Sequence, residues 1–417
     1  MTRDKFHRPL RCTIFLLPAM LLACIAFFTT TPITQDIALG DLDGDGDLDA
    51  FFANGESDSR QPNSVWFNQG EGEFQDSGQA LGLSDTHSIT LGDLDNDGDL
   101  DAIEGGWGLI YTNDGFGSFT TLDQEITPIE GNFTRSPALG DLDQDGDLDM
   151  FMAGCCGAFN GDKNDPWVIL PASSVFLNDT SGRFTEAQSL TNQACPAAAL
   201  GDLDGDGDLD AFVVCWSVIV HSGVLADANE GFGDSVQVIA GPYTERNRAP
   251  NLVYINDGTG QLVDSDQELG DAASSAIALG DLDGDGDLDG FVGNRADDQV
   301  WINQGSDQGG IPGQFAVSNQ RIANQPTRKI ALGDVDGDGD LDALLNIAAR
   351  RGLSPELWLN DGQAHFTQSR SKLEIPDMQI YTLGDVDGDG DLDIFAGSFD
   401  RGYDIWFNDG SGNYERQ

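Results

Sequence analysis

The stretch LGDLDGDGDLDA, Leu39 to Ala50, places five aspartates in nine residues: Asp41, Asp43, Asp45, Asp47 and Asp49. Carboxylates so crowded repel one another by roughly 3–4 kcal/mol per close pair at an effective dielectric of ~20. The chain nevertheless repeats the string six more times. The copies carry Asp93, Asp95, Asp97, Asp99 and Asp101; Asp141, Asp143, Asp145, Asp147 and Asp149; and Asp202, Asp204, Asp206, Asp208 and Asp210. Then come Asp281, Asp283, Asp285, Asp287 and Asp289; Asp334, Asp336, Asp338, Asp340 and Asp342; and Asp385, Asp387, Asp389, Asp391 and Asp393. Successive first aspartates stand 52, 48, 61, 79, 53 and 51 residues apart.

A second motif trails every loop. It reads SVWFNQGEGEF from Ser64, LIYTNDGFGSF from Leu109, SVFLNDTSGRF from Ser174 and LVYINDGTGQL from Leu252. It returns as QVWINQG from Gln299, ELWLNDGQAHF from Glu356 and DIWFNDGSGNY from Asp404. Two unrelated motifs in one fixed order define one unit repeated seven times. Each unit holds four strand signals. In the first, DIALG enters the acidic loop, LDAFFA leaves it, SVWF is third and EFQDSG fourth. Asn-Asp-Gly or a close variant between the third and fourth reads as a type I′ hairpin turn, which needs φ > 0 twice. Helical periodicity is absent from the units. Seven units of four antiparallel strands predict an all-β, seven-bladed β-propeller from Ile33 to Gln417. A linear solenoid would need distinct capping repeats, whereas the first and last units look like the middle ones.

The loop pattern D-x-D-x-D-G-D-L-D joins two strands. Oxygen ligands at positions one, three and five, a glycine at six for the sharp turn and a carbonyl at seven wrap a hard cation. A helix–loop–helix calcium hand completes the shell with a glutamate at position twelve. Here that position is Phe52, Met152, Val213, Val292, Leu345 and Ala396, with Glu104 only in the second loop. The shell must therefore close earlier, and we assign its closure to the aspartate at position nine, Asp49 in the first loop. The side chain at position seven, Asp47 there, then points to solvent. Calcium suits an all-oxygen, flexible loop better than magnesium, and softer metals would call for His or Cys. We expect one calcium ion per blade, about seven in all, coupled to folding rather than to chemistry.

GDLDGDGDLD and NDGxGxF resemble the signatures of the FG-GAP/VCBS repeat family, the calcium-binding blades of integrin α-chain headpieces and of many bacterial surface proteins. The resemblance covers essentially the whole chain after its leader. It implies a seven-bladed propeller with the loop ions on one face, away from the usual ligand side, and the ligand positions given above. Integrin propellers carry such loops in only a subset of blades; here all seven have one, as in bacterial and lectin-like members. Fold and metal follow from the family, but the ligand hardly does.

Charge narrows the partners. The chain has 72 Asp and Glu against 20 Lys and Arg, and the seven loops hold 35 of those acids. Nucleic acid and anionic lipid, which select clustered cations, are poor candidate partners. Arg3, Lys5, Arg8 and Arg11 precede the uncharged run Thr13 to Phe28, which reads as an export signal within residues 1–30. LLAC, ending at Cys24, also resembles a lipoprotein box. A secreted or cell-surface, bacterial extracellular or periplasmic protein is expected, most simply a monomer. Four cysteines then remain, Cys155, Cys156, Cys195 and Cys215, with three pairings open.

Strand alternation puts the acidic loops and Asn turns at one end of the blades. The second-to-third-strand connections lie at the other, where length varies most. Two adjacent inserts there, from Gly154 to Ser173 and from Cys215 to Asn251, offer Trp167, Trp216, His221, Tyr243, Arg246 and Arg248 as ligand-binding candidates. Arg60, Arg295 and other cations of these connections suggest a basic patch at that end. No G-x-S-x-G, P-loop or H-E-x-x-H occurs. The expected role is a binding or adhesion module for a glycan or an extracellular protein. A secreted polysaccharide lyase or hydrolase is the alternative, with His87 or Arg135 near the hub.

Overall fold

The run leaving each acidic loop is apolar at consecutive positions, so it has to be covered on both faces. The structure, a computed structural model, describes residues 34–55, 60–84, 86–126, 133–155, 173–190, 193–218, 249–305, 309–349, 352–370, 373, 378–398 and 402–416. In it these runs are second strands. Asp49–Asn54, Asp101–Gly105, Asp210–Val214 and Asp289–Asn294 are buried at every residue. Each is flanked by a first and a third strand in a four-stranded antiparallel meander. Blade 1 runs Thr34–Gly40, Asp49–Asn54, Gln61–Asn68 and Phe74–Asp76. Six further blades follow, with first strands at Ser88–Gly92, Phe133–Gly140, Ala197–Gly201, Ser274–Gly280, Thr327–Gly333 and Met378–Gly384. A single pairing, Leu353 with Met378, joins the sheets of blades 6 and 7. No helix occurs among the described residues.

The hydrophobic clusters lie between blades, not within them. Phe51 faces blade 2 beside Tyr111 and Phe119, while its neighbour Phe52 faces blade 7 beside Phe395 and Ile405. Period-two alternation along one strand thus serves two interfaces. Aromatic edges recur between adjacent blades: Phe51 with Phe119 at 5.3 Å, and Phe212 with Phe315 and Phe291 with Phe366 at 5.1 Å. The Phe that ends the NDGxGxF signature is therefore the plug for the preceding blade. First strands pack against their neighbours all the way round, with Met378–Gly384 against Thr34–Gly40. The units close into a ring, which rules out the solenoid. Lys329 of blade 6 pairs with Asp36 of blade 1, across the central opening that the first strands surround.

The glycine of each LGD is set by this closure. A Cβ on Gly40, Gly140 or Gly333 would stand 2.7, 2.5 or 2.4 Å from a leucine Cδ1 of the following blade. The turn after the third strand differs from the sequence reading. Asn68 pairs with Phe74, leaving five residues between the strands instead of two. Gly70, Glu71 and Gly72 take φ of 90°, 53° and 72°. A carboxylate or amide oxygen organises such loops, as where Asp114 Oδ1 accepts Phe116 N–H and Ser118 N–H at 3.1 Å each. Two accessory pairings appear as well: Leu81–Ser84 with the third strand of blade 1, and Gln193–Ala194 with Ser217–Val218. Cys195 is bonded to Cys215, which clasps the base of the long insert of blade 4. The side chain of Cys155, Cys156, the leader and Cys24 lie outside the described residues.

Candidate metal centres and the opposite face

Every acidic loop is wound by its own carboxylates. The first aspartate accepts the N–H of the position-six glycine: Gly46 to Asp41, Gly207 to Asp202 and Gly390 to Asp385 lie at 3.0 to 3.1 Å. The fifth accepts the N–H of the seventh, as from Asp47 to Asp45 at 3.0 Å and from Asp391 to Asp389 at 2.9 Å. These bonds hold the carboxylates at one and five against the loop's own backbone. Carboxylate oxygens of Asp41, Asp43 and Asp45 lie within 4.8 Å of one another, as do those of Asp202, Asp204 and Asp206, and of Asp281, Asp283 and Asp285. In loops 2 and 3 the close set includes position nine: Asp93 and Asp95 with Asp101, and Asp141 and Asp143 with Asp149.

Position nine does more than the sequence reading gave it. All seven of these aspartates are buried. One oxygen accepts the N–H of residue two of the loop: Leu42 to Asp49 at 2.9 Å, Leu142 to Asp149 at 3.0 Å, Val386 to Asp393 at 3.1 Å. The other accepts the N–H of the turn asparagine, as from Asn68 to Asp49 and from Asn360 to Asp342, both at 2.8 Å. Position nine therefore fastens loop to turn, with lone pairs left for a cation. Burial pushes Asp49, Asp101, Asp149, Asp210, Asp342 and Asp393 up to about 6, and Asp289 up to about 7, against the pull of those N–H donors.

Position seven does not simply face water. Asp147 is buried. Asp99 lies against the first glycine of its own turn, where a Cβ on Gly115 would stand 2.3 Å from Asp99 Oδ2. Loops 2 and 3, with Asn96 and Gln144 in place of glycine at position four, reach the next loop through bonds to Asp147 and Asp208. Glu104, the position-twelve exception, is fully buried and accepts Asn63 Nδ2 at 3.0 Å, Thr86 Oγ1 at 2.9 Å and the Tyr111 hydroxyl at 2.9 Å. It belongs to the interface of blades 1 and 2.

The loops fit a hard divalent cation by their own chemistry. Asp43, Asp95, Asp143 and Asp336 each hold a buried Oδ1 with no hydrogen-bond partner. A buried, unsatisfied carboxylate oxygen is costly. Burial, with the neighbouring aspartates adding to it, also raises these four from their ordinary value. A cation among the oxygens removes both penalties, and an all-oxygen donor set is the hard-ion type.

At the other end, Trp167, His221, Tyr243, Arg246 and Arg248 lie outside the described residues, as does the side chain of Arg135. Trp216 is described, and the Arg295 guanidinium of blade 5 lies 5.2 Å over its ring. A matching pair was missed in the sequence: Arg60 of blade 1 lies 4.7 Å over Trp107 of blade 2, which is 37% exposed. Long inserts drew attention away from the short GGWG turn. Its end is closely packed: Gly108 at φ 67° backs onto Ile126, whose carbonyl oxygen would lie 2.2 Å from a Cβ there. His87 donates its backbone N–H to Gly105 at 2.8 Å.

A family model described as FG-GAP-like repeat matches residues 41–104 and 281–345, which run from the loop of blade 1 into the second strand of blade 2 and from the loop of blade 5 into that of blade 6. No curated protein sequence matches the chain. A solved structure described as BBS1N in complex with ARL6DN, soaked with lead, superposes with a TM-score of 0.52 at 13% identity. It covers 92% of this chain and 94% of the other. At that identity the likeness shows the fold alone. With 243 solved chains matching, the fold by itself assigns no ligand.

Proposed function

Because this chain is a β-propeller of FG-GAP-like repeats, we propose that it is an exported binding module that calcium holds together and that takes a glycan at the end opposite its aspartate loops. FG-GAP repeats are typically calcium-binding, and the clustered aspartates with buried unpartnered oxygens support one ion per loop, seven in all. In each loop positions one, three, five and nine would hold the ion by side chains and position seven by its carbonyl. The ion would supply charge neutralisation, so the chain's own turns and cores can form.

The observation that carries the ligand reading is the pair of Arg-over-Trp shelves, Arg60 on Trp107 and Arg295 on Trp216. Each joins two blades at the end away from the loops. An indole plane suits the apolar face of a sugar ring, and a guanidinium beside it suits a carboxylate or hydroxyl. The apolar leader supports export to the cell surface or beyond.

The test is retention of the purified mature chain, with calcium, on acidic and neutral polysaccharides, scored together with release of unsaturated or reducing ends. Retention without product is expected, weakened several-fold by Trp107→Ala at unchanged melting temperature. Product release would replace this reading by a lyase or hydrolase. Absence of both would replace it by an extracellular protein partner.

A further inference from the structure

The asparagine of the turn motif is the same in all seven units, although the residues after it vary: Asn68, Asn113, Asn178, Asn256, Asn303, Asn360 and Asn408. A turn alone does not ask for that. In every blade its Nδ2 donates to the carbonyl of loop residue two in the preceding blade, at 2.8 Å each time. The acceptors are Leu42, Leu94, Leu142, Leu203, Leu282 and Val335 for blades 2 to 7. Asn68 of blade 1 closes the circle on Val386 of blade 7.

Residue two is the peptide between the first two cation-binding aspartates. Its side chain is buried in all seven loops. Its N–H is held by position nine of its own loop, and its C=O by the asparagine of the next blade. That asparagine is fixed in turn, since its backbone N–H is bonded to position nine of its own loop. A displacement in one loop therefore reaches the adjoining loop through two hydrogen bonds and one side chain.

We propose that the seven asparagines are positioning residues for the cation loops and that they join those loops into one closed, cooperative circuit. Each loop is shaped for its ion by a donor the next blade supplies, so filling one site favours filling its neighbours. This rests on the calcium reading above, but the two fail separately. Absence of bound calcium sinks both, while calcium bound at seven independent, equal sites sinks only the circuit.

The experiment is a calcium titration of the full chain by equilibrium dialysis, with melting temperatures taken in calcium and in EDTA. A Hill coefficient above one is expected. Asn360→Ala removes the donor to Leu282 and should lower that coefficient, weaken half-saturation about three- to tenfold, and lower the melting temperature more in calcium than in EDTA. A purely structural asparagine would lower both melting temperatures alike and leave the coefficient unchanged, which overturns the proposal. Should Asn360→Ala not fold, the reciprocal variant decides. Asp283→Asn with Asp285→Asn disables loop 5 and leaves every asparagine in place. Amide exchange in calcium should then quicken at least threefold in the blade 6 turn, residues 360–364, and stay unchanged in the distant blade 2 turn, residues 113–117. Exchange that quickens in blade 5 alone refutes the circuit.

Discussion

Replacing Asp143 by Asn should change sign with calcium. Asp143 Oδ1 is buried without a partner, and carboxylate oxygens of Asp141 and Asp149 lie within 4.8 Å of its own. At that separation a charged pair costs about 3.5 kcal/mol at an effective dielectric of ~20. Water and salt on the open side of the loop cut this severalfold, so the relief in EDTA is about 1–3 kcal/mol. At roughly 2 °C per kcal/mol for a large domain, the calcium-free Asp143→Asn chain should melt about 2–6 °C above the parent. In saturating calcium the same substitution removes a charged ligand. A hundredfold loss of affinity at that loop removes about 2.7 kcal/mol, and the melting temperature should fall by about 5 °C. Paired thermal melts of parent and variant in EDTA and calcium read both numbers. Equal destabilisation in both conditions would show that Asp143 serves the fold through ordinary contacts, and the reasoning from electrostatic frustration would be wrong.

Two further predictions follow from the buried groups. The position-nine carboxyls are raised from about 4 to about 6, and Asp289 to about 7, so the calcium-free fold holds protons that the unfolded chain has released. Their contribution to stability is complete below about pH 4 and is lost as pH rises through 6 to 7. Melts in EDTA should therefore fall between pH 5 and 7.5, whereas calcium, which needs ionised ligands, should flatten or reverse the trend; a calcium-free melting temperature that rises over this window would contradict the assignment. Separately, Cys195 and Cys215 close a span of 20 residues, and Cys215→Ala should cost about 3 kcal/mol, read as a lower urea midpoint that no longer responds to reductant.

Much of the architecture was legible because the motif letters have single physical uses. Leu-Gly-Asp, the aspartate ladder and the Asn turn, repeated seven times, point to one strand–loop–strand unit and a ring. What escaped the reading were jobs performed on a neighbour. Asn113 looks like a turn residue until its amide is seen on Leu42, 71 residues away. Its invariance across seven copies, beside the changeable Asp-Gly, was the available signal. Asp149 has the spacing of a ligand, yet its burial and its three backbone donors make it a fastener as well. Trp107 was invisible for a different reason: a single indole in a three-residue turn carries no periodicity, and only the arrival of Arg60 from another blade marks it.

The clasp between Asn68 and Val386 links residues 318 positions apart, and Phe74 finds its ring partner in Phe395 at 4.9 Å. During synthesis blade 1 must then wait, one flank bare, until blade 7 has emerged, 318 residues on from Asn68 to Val386. Such long-range closure is slow and leaves apolar surface open to wrong partners. A late stop codon would accordingly injure the oldest part of the molecule as much as the newest, leaving blade 1 without the neighbour that covers Phe52.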